Sequence, residues 1–308
     1  MPDASAETLL QGNLGRGSSP VRDPNQLRDS KLVRNANPGR HAPPVSNANL
    51  VRDAALLADT VREAGALALS MFRTELRMWT KGASSPVSEA DIAVNELIQA
   101  RLQSATPDYG WLSEESADDP VRLGKRMVWI IDPIDGTRGY LAGREDWCVS
   151  AALIEDASPV VAAVFAPATN EFLFATKGRG ATCNGVAISA NSGIGIDLAR
   201  VAGPKPLIER LAHAADNVTP HPRIGSLALR LCRVAEGRID AAFAGGQSRD
   251  WDLAAADLIV HEADGSMTAL AGEAILYNRA DVTHGVLVAA GRDRHAHIVE
   301  HFRNRPPA

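Results

Sequence analysis

Apolar positions recur along this chain with two different periods, and the change between them outlines the fold. From Asn49, Leu50, Ala54, Leu57, Val61, Ala64, Ala68 and Met71 fall on one face of a helix. A second helix is predicted from about Ser88 to Leu102, with Ile92, Leu97 and Ile98 as its apolar positions. A short strand, Tyr109 to Leu112, then leads through an acidic loop to a continuous apolar strand, Met127 to Ile131. Residues 147 to 183 alternate apolar runs (Cys148–Ile154, Val160–Phe165, Glu171–Thr176) with turn signals, the pattern of an antiparallel meander. Beyond Asn184-Gly185 the texture mixes helix and strand. A capped helix is predicted at Ser226 to Val234, a strand at Ile239 to Phe243, a helix at Trp251 to Glu262 and a strand at Gly285 to Ala290.

Three segments follow. Residues 1 to about 46 hold six prolines and no apolar periodicity, so they are read as a disordered extension that buries too little surface to offset its ordering entropy. Residues 47–185 are read as an α+β metal-binding domain, and residues 186–308 as an α/β domain that completes the active site, with sheets layered between helices.

Composition narrows the function. A net charge of −5 lacks the basic footprint that a nucleic-acid polymer requires, but it leaves room for a small anion held through metal ions. Cys148, Cys183 and Cys232 are odd in number and widely spaced, giving neither a disulfide framework nor a zinc site. No apolar run reaches membrane-spanning length and no secretory leader is evident, so a cytoplasmic location is expected.

The candidate chemistry is acidic. Asp132-Pro133-Ile134-Asp135-Gly136-Thr137 follows the apolar strand directly, placing two carboxylates, a backbone carbonyl and a hydroxyl at its mouth. Pro133 stiffens the backbone between the acids, and Gly136 permits a tight turn. Glu114 and Glu115 end the short strand, Asp252 opens a helix, and Asp91 opens another. Each of the last two has a structural reading as well: Ser88 and Asp91 fit a capping box, and Asp252 complements a helix dipole.

Three strings in order, Trp111-Leu-Ser-Glu-Glu115, Asp132-Pro-Ile-Asp-Gly-Thr137 and Trp251-Asp-Leu-Ala-Ala255, resemble the inositol monophosphatase superfamily of magnesium-dependent, lithium-sensitive phosphatases. A weaker match is Lys81 followed by Ser85-Pro-Val-Ser-Glu-Ala-Asp91, and the likeness covers about residues 50 to 290. The resemblance implies the αβαβα sandwich of the sugar-phosphatase type. It also implies Glu114, Asp132, the Ile134 carbonyl, Asp135 and Asp252 as metal ligands, and Thr137 with Asp91 as the pair that orients or deprotonates the attacking water. An all-oxygen set suits Mg²⁺, with Mn²⁺ as a substitute, at two or three ions per site.

For the substrate the resemblance implies a small phosphate ester, contacted by Gly136, Thr137, Arg138, Ser226 and Asp252. Arg138 after the threonine, together with Tyr277-Asn278-Arg279, is similar to the branch that acts on adenosine 3′,5′-bisphosphate, although Gly139 departs from that branch. An inositol monophosphatase or histidinol-phosphate phosphatase is the alternative, and a non-catalytic metal-binding protein on the same fold is the reading from another class. A homodimer is expected from the family only. Ser226 also reads as a plain N-cap. His295, His297 and His301 are expected to form a surface cluster, and Gly178-Arg-Gly180 and Asn184-Gly185 to be hairpin turns.

Overall fold

The computed structural model describes residues 47–81, 85–197, 199–213 and 217–303. The extension predicted for residues 1–46 lies outside the described residues. In chain order the principal elements are α1 (Asn47–Met71), β1 (Met78–Lys81), β2 (Ser85–Ser88), α2 (Glu89–Ala105), β3 (Gly110–Ser113), β4 (Met127–Asp135) and α3 (Thr137–Leu141). The meander follows as β5 (Cys148–Glu155), β6 (Ser158–Ala166), β7 (Glu171–Thr176), β8 (Ala181–Cys183) and β9 (Val186–Ala187). The C-terminal half contains β10 (Arg200–Ala202), α4 (Lys205–Ala212), β11 (Thr219–Pro220), α5 (Leu227–Ala235), β12 (Ala241–Ala244), β13 (Ser248–Arg249), α6 (Asp250–Glu262), β14 (Gly265–Ala269), β15 (Thr283–His284), β16 (Leu287–Gly291) and α7 (Arg292–Arg303).

Strands β3 to β9 form one seven-stranded sheet in sequence order. It is antiparallel throughout except for the parallel pair β3 and β4. A second sheet has the order β11-β10-β12-β16-β14. Five layers result because each sheet is apolar on both faces. In β4, Met127, Trp129 and Ile131 point toward α1 and α2, while Val128 and Ile130 point the other way, toward α5 and α6. In β12 and β16, Ala242, Ala244, Leu287 and Ala289 face that same middle layer, and Phe243, Val288 and Ala290 face α7 and α4. The two-residue side-chain period of a strand thus feeds three separate cores, and it explains the unbroken apolar runs in the sequence. Helix α6 lies in the middle layer between two sheets. Its run Ala254-Ala255-Ala256 is buried because only small side chains let a helix be covered on both flanks. The fold is an α+β layered sandwich.

The predicted elements are present with shifted ends. Strand β3 begins at Gly110 rather than Tyr109, and β12 at Ala241 rather than Ile239. Strands β10, β11 and β14 and helix α4 have no counterpart in the sequence reading, because each is short and owes its existence to pairing or packing with distant segments. Asn184-Gly185 is a hairpin turn with both residues at positive φ. Gly178-Arg179-Gly180 does more than turn: all three backbone N–H groups donate to the Glu262 carboxylate at 2.7 to 3.1 Å, tying the meander to the end of α6. The histidine expectation needs correction. His295 is buried against Thr268 Oγ1 at 3.1 Å, and burial lowers its pKa to about 4, whereas His297 is exposed.

Gly65 allows α1 to lie against the first sheet, since a Cβ there would sit 2.2 Å from Phe165 Cδ1. Gly65→Ala is expected to lower stability by about 1–3 kcal/mol despite its gain in helix propensity. Thermal unfolding checks this, and pairing the change with Phe165→Leu should recover most of the loss.

Candidate active site

The starts of α3, α5 and α6 and the end of β4 line one cavity, and the start of α2 meets them through Asp91 and Thr137. The decisive local feature is a bulge. Asp132 pairs with Ser150 and Asp135 with Cys148, so three steps on β4 oppose two on β5. In a regular strand, residues three apart point to opposite faces. Here the extra residue, beside Pro133 with its missing N–H, turns both carboxylates to the same side. Gly136 then takes φ 97°, and Thr137 starts α3. A Cβ at Gly136 would meet the Asp146 carbonyl at 3.0 Å and the Ser226 nitrogen at 3.2 Å.

Carboxylate oxygens of Asp132, Asp135 and Asp252 lie within 4.8 Å of one another. Asp132 and Asp135 are buried, and Asp252 is half-buried. Glu114 stands outside that tight trio but lines the same cavity of about 580 Å³. Each acid is held by its element. Asp135 Oδ2 accepts from Ser226 Oγ and from the Ala228 N–H, both at 2.6 Å, at the start of α5. Asp252 Oδ2 accepts from the Arg249 N–H at 2.7 Å at the start of α6. Asp132 Oδ1 is enclosed and has no hydrogen-bond partner. The Glu114 segment is fixed to α2 by Asn95, which accepts from Ser113 Oγ at 2.6 Å and donates to Ser116 Oγ at 3.1 Å.

Asp91 serves both of its sequence readings. Its Oδ2 accepts from the Ser88 N–H at 2.8 Å and the Ser88 hydroxyl at 2.6 Å, capping α2, while Oδ1 accepts from Thr137 Oγ1 at 3.3 Å. Thr137 Oγ1 also lies 3.0 Å from the Ile134 carbonyl. Lys81 pairs with the Glu115 carboxylate at 2.9 Å and donates to the Glu114 carbonyl.

Ser226 meets its N-cap reading: it is fully buried, accepts from the Leu229 N–H at 3.0 Å at the start of α5, and gives its proton to Asp135. Its hydroxyl therefore supports an acid, and the neighbouring Gly225 lines the cavity. Sequence reasoning also missed Arg144, Arg223 and Gln247, which join Gly136, Thr137 and Arg138 in the cavity wall. They sit on loops, where no periodicity marks them.

Packing these acids together is electrostatically costly. Burial raises the Asp132 pKa well above the carboxylate range, and Glu114, Asp135 and Asp252 raise it further. Burial lifts Asp135 too, against the hydrogen bonds from Ser226 and Ala228. Asp91 rises to about 6, chiefly through burial. Protonation or bound cations can offset such a cluster, and the donors fit a hard cation: all are oxygens, and Asp132 Oδ1 lacks any partner.

The profile of the inositol monophosphatase family matches residues 50–306. The chain belongs to that family. Among curated members it is 34% identical to the Nus factor SuhB of Xylella fastidiosa, over 68% of this chain and 79% of that one. It is 35% identical to a histidinol-phosphatase of Mycobacterium tuberculosis (69% and 85%) and 31% identical to an inositol-1-monophosphatase of Caulobacter vibrioides (75% and 92%). An IMPase structure from Thermotoga maritima superposes with a TM-score of 0.69 at 25% identity, covering 82% of this chain and 97% of its own. A SuhB structure from Bartonella henselae gives 0.72 at 24% identity, over 82% and 99%. As a member of the inositol monophosphatase family the protein is a phosphatase.

Two outcomes are expected. Gly136→Ala should cost about 1–2 kcal/mol from its left-handed backbone alone, with a larger loss of turnover than of stability as the bulge shifts; unfolding and kcat measured together separate the two. The buried acids bind more protons folded than unfolded, so metal-free stability should fall as pH rises from the ordinary carboxyl range through about 7 at Asp252 and about 8 at Glu114. Mg²⁺ should therefore raise Tm more at about pH 8 than at about pH 6, as differential scanning calorimetry would show.

Proposed function

We propose that this phosphatase is a divalent-metal-dependent phosphomonoesterase whose substrate carries a second anionic group, with adenosine 3′,5′-bisphosphate the first candidate. The observation that carries this reading is the polarity of the cavity. Glu114, Asp132, Asp135 and Asp252 line one part of it, while Arg138, Arg144 and Arg223 line another. The acids suit divalent cations, which would neutralise charge on the scissile phosphate, and the arginines suit a further phosphate, which a guanidinium binds through paired hydrogen bonds. A cationic amine, as in histidinol phosphate, is disfavoured beside three arginines.

In this reading Glu114, Asp132, the Ile134 carbonyl, Asp135 and Asp252 would hold Mg²⁺, with Mn²⁺ as a substitute. Bound divalent cations supply a water of lowered pKa and neutralise charge on the phosphoryl oxygens. Thr137 Oγ1 donates to Asp91, which leaves its lone pairs to orient the attacking water in line with the scissile bond. As the water attacks, Thr137 Oγ1 accepts its proton and passes its own to Asp91, a role for which a carboxyl lifted to about 6 is better matched than an ordinary one. Gly136 and Thr137 form the wall nearest these groups, and Arg138 stands at the next position on α3. Ser226 keeps Asp135 in position without touching substrate. Lithium inhibition and action in the cytoplasm belong to the same reading.

A panel of adenosine 3′,5′-bisphosphate, inositol 1-phosphate, histidinol phosphate and fructose 1,6-bisphosphate, compared by kcat/KM with Mg²⁺, tests the substrate. Higher values for the two bisphosphates are expected, and a clear preference for inositol 1-phosphate would overturn the proposal. Asp135→Asn should reduce Mg²⁺-dependent turnover by at least about a hundredfold while leaving a folded protein; retention of most activity would refute its place as a ligand.

A further inference from the structure

A second cavity, of about 430 Å³, adjoins the catalytic one and shares Arg223 with it. Its walls come from three separate segments: Gly203-Pro204-Lys205 at the start of α4, His221-Pro222-Arg223-Ile224 in the loop before α5, and Arg230 on α5. Three of these side chains are cationic, and among the described residues no acidic one lines the cavity. The first turn of an eight-residue helix adds the positive end of its dipole.

The charges in this cavity are less well satisfied than the ion-paired arginines Arg233 and Arg200. Arg233 is paired with Glu171 at 2.5 Å and Glu236 at 2.6 Å, and Arg200 with Asp240 at 3.0 Å. Among the described residues neither Arg223 nor Arg230 forms an ion pair. Arg230 Nε is enclosed without a hydrogen-bond partner. A guanidinium nitrogen only donates, so its unmet bond calls for an acceptor, and leaving it buried and unpaired is costly. His221 Nδ1 faces the Pro222 carbonyl at 2.8 Å, which places a proton on that nitrogen and leaves Nε2 for another partner. Among the described residues Lys205 reaches only the exposed Glu209, at 3.4 Å and one turn along α4.

We propose that the cavity bounded by Lys205, His221, Arg223 and Arg230 is an anion subsite that takes the second phosphate of the substrate. The assignment rests on the reading of the enzyme as a phosphatase for doubly anionic esters. Arg223 links the two compartments: one phosphate lies over the acidic cluster with its cations, and the other is received beyond the arginine. The shared chemistry is a phosphate dianion, whether borne by the substrate or free in solution.

The test compares adenosine 3′,5′-bisphosphate with adenosine 3′-monophosphate, whose only difference is the second phosphate, in full-length enzyme with Mg²⁺. The ratio of their kcat/KM values should fall about tenfold or more in Arg230→Met with Lys205→Ala, the loss expected for a contact to a charged group. Because Arg230 is half-buried, Lys205→Glu on the exposed turn of α4 serves as the independent variant, and it should move the ratio in the same direction. Alongside, inorganic phosphate is titrated by thermal shift against the metal-free full chain, where the bare acidic cluster repels anions. Stabilisation is expected in the parent and should disappear in both variants. If the ratio holds while that stabilisation disappears, the subsite serves a separate anion and its assignment to the substrate is overturned. Should neither readout change, the cavity binds no phosphate and the inference fails. Lack of a bisphosphate preference in the parent enzyme, with phosphate binding intact, would count against the substrate reading and not against the anion site.

Discussion

Mutual repulsion among buried carboxylates is the constraint on which this structure turns. A chain left to itself separates such groups or protonates them, yet here a bulge beside Pro133 points Asp132 and Asp135 to one side, and α6 brings Asp252 against them. The surrounding bonds are those needed to hold acids that would otherwise move apart. Ser226 and the Ala228 N–H grip Asp135, the Arg249 N–H grips Asp252, and Asn95 anchors the segment that carries Glu114. Asp132 keeps an oxygen with no hydrogen-bond partner, an acceptor that suits an external cation.

The layered fold makes this arrangement affordable in structural terms by bringing helix starts together. Asp91, Thr137, Ser226 and Asp252 lie at or next to the first residues of α2, α3, α5 and α6. The N-terminal end of each helix carries partial positive charge and donates N–H groups, so four of them moderate a site rich in carboxylates. Three apolar cores, fed by the alternating faces of two sheets, hold those helices in place. The same positive ends favour a phosphate ester as it enters.

Charge is also divided along the opening. Acids occupy the floor that suits cations, and Arg138 of α3 with the loop residues Arg144 and Arg223 stands along the wall. The division continues into the neighbouring cavity, where among the described residues Arg223 and Arg230 form no ion pair, although Arg230 feels the charge of Asp135. An enzyme of net charge −5 thereby presents a locally basic approach to an anionic substrate.

Much of this was legible from residue order. The long apolar runs of β4 to β7 and the stripe on α1 announced themselves, because burial on a strand or helix repeats with a period the sequence must obey. Asp132-Pro-Ile-Asp-Gly-Thr137 carried its chemistry in one string, with Pro133 and Gly136 marking the backbone that would be needed. Short pieces such as β10, β11 and α4 left no such trace, since distant partners and not local pattern create them. Ser226 could be read as an N-cap but not as the support of Asp135, which lies 91 positions away in the chain. Arg144, Arg223 and Arg230 were anonymous charges in the sequence. Residue order by itself determined which segments are buried and which acids are available; tertiary structure decided which charges meet, because Coulombic and hydrogen-bonding partners are chosen by proximity in space.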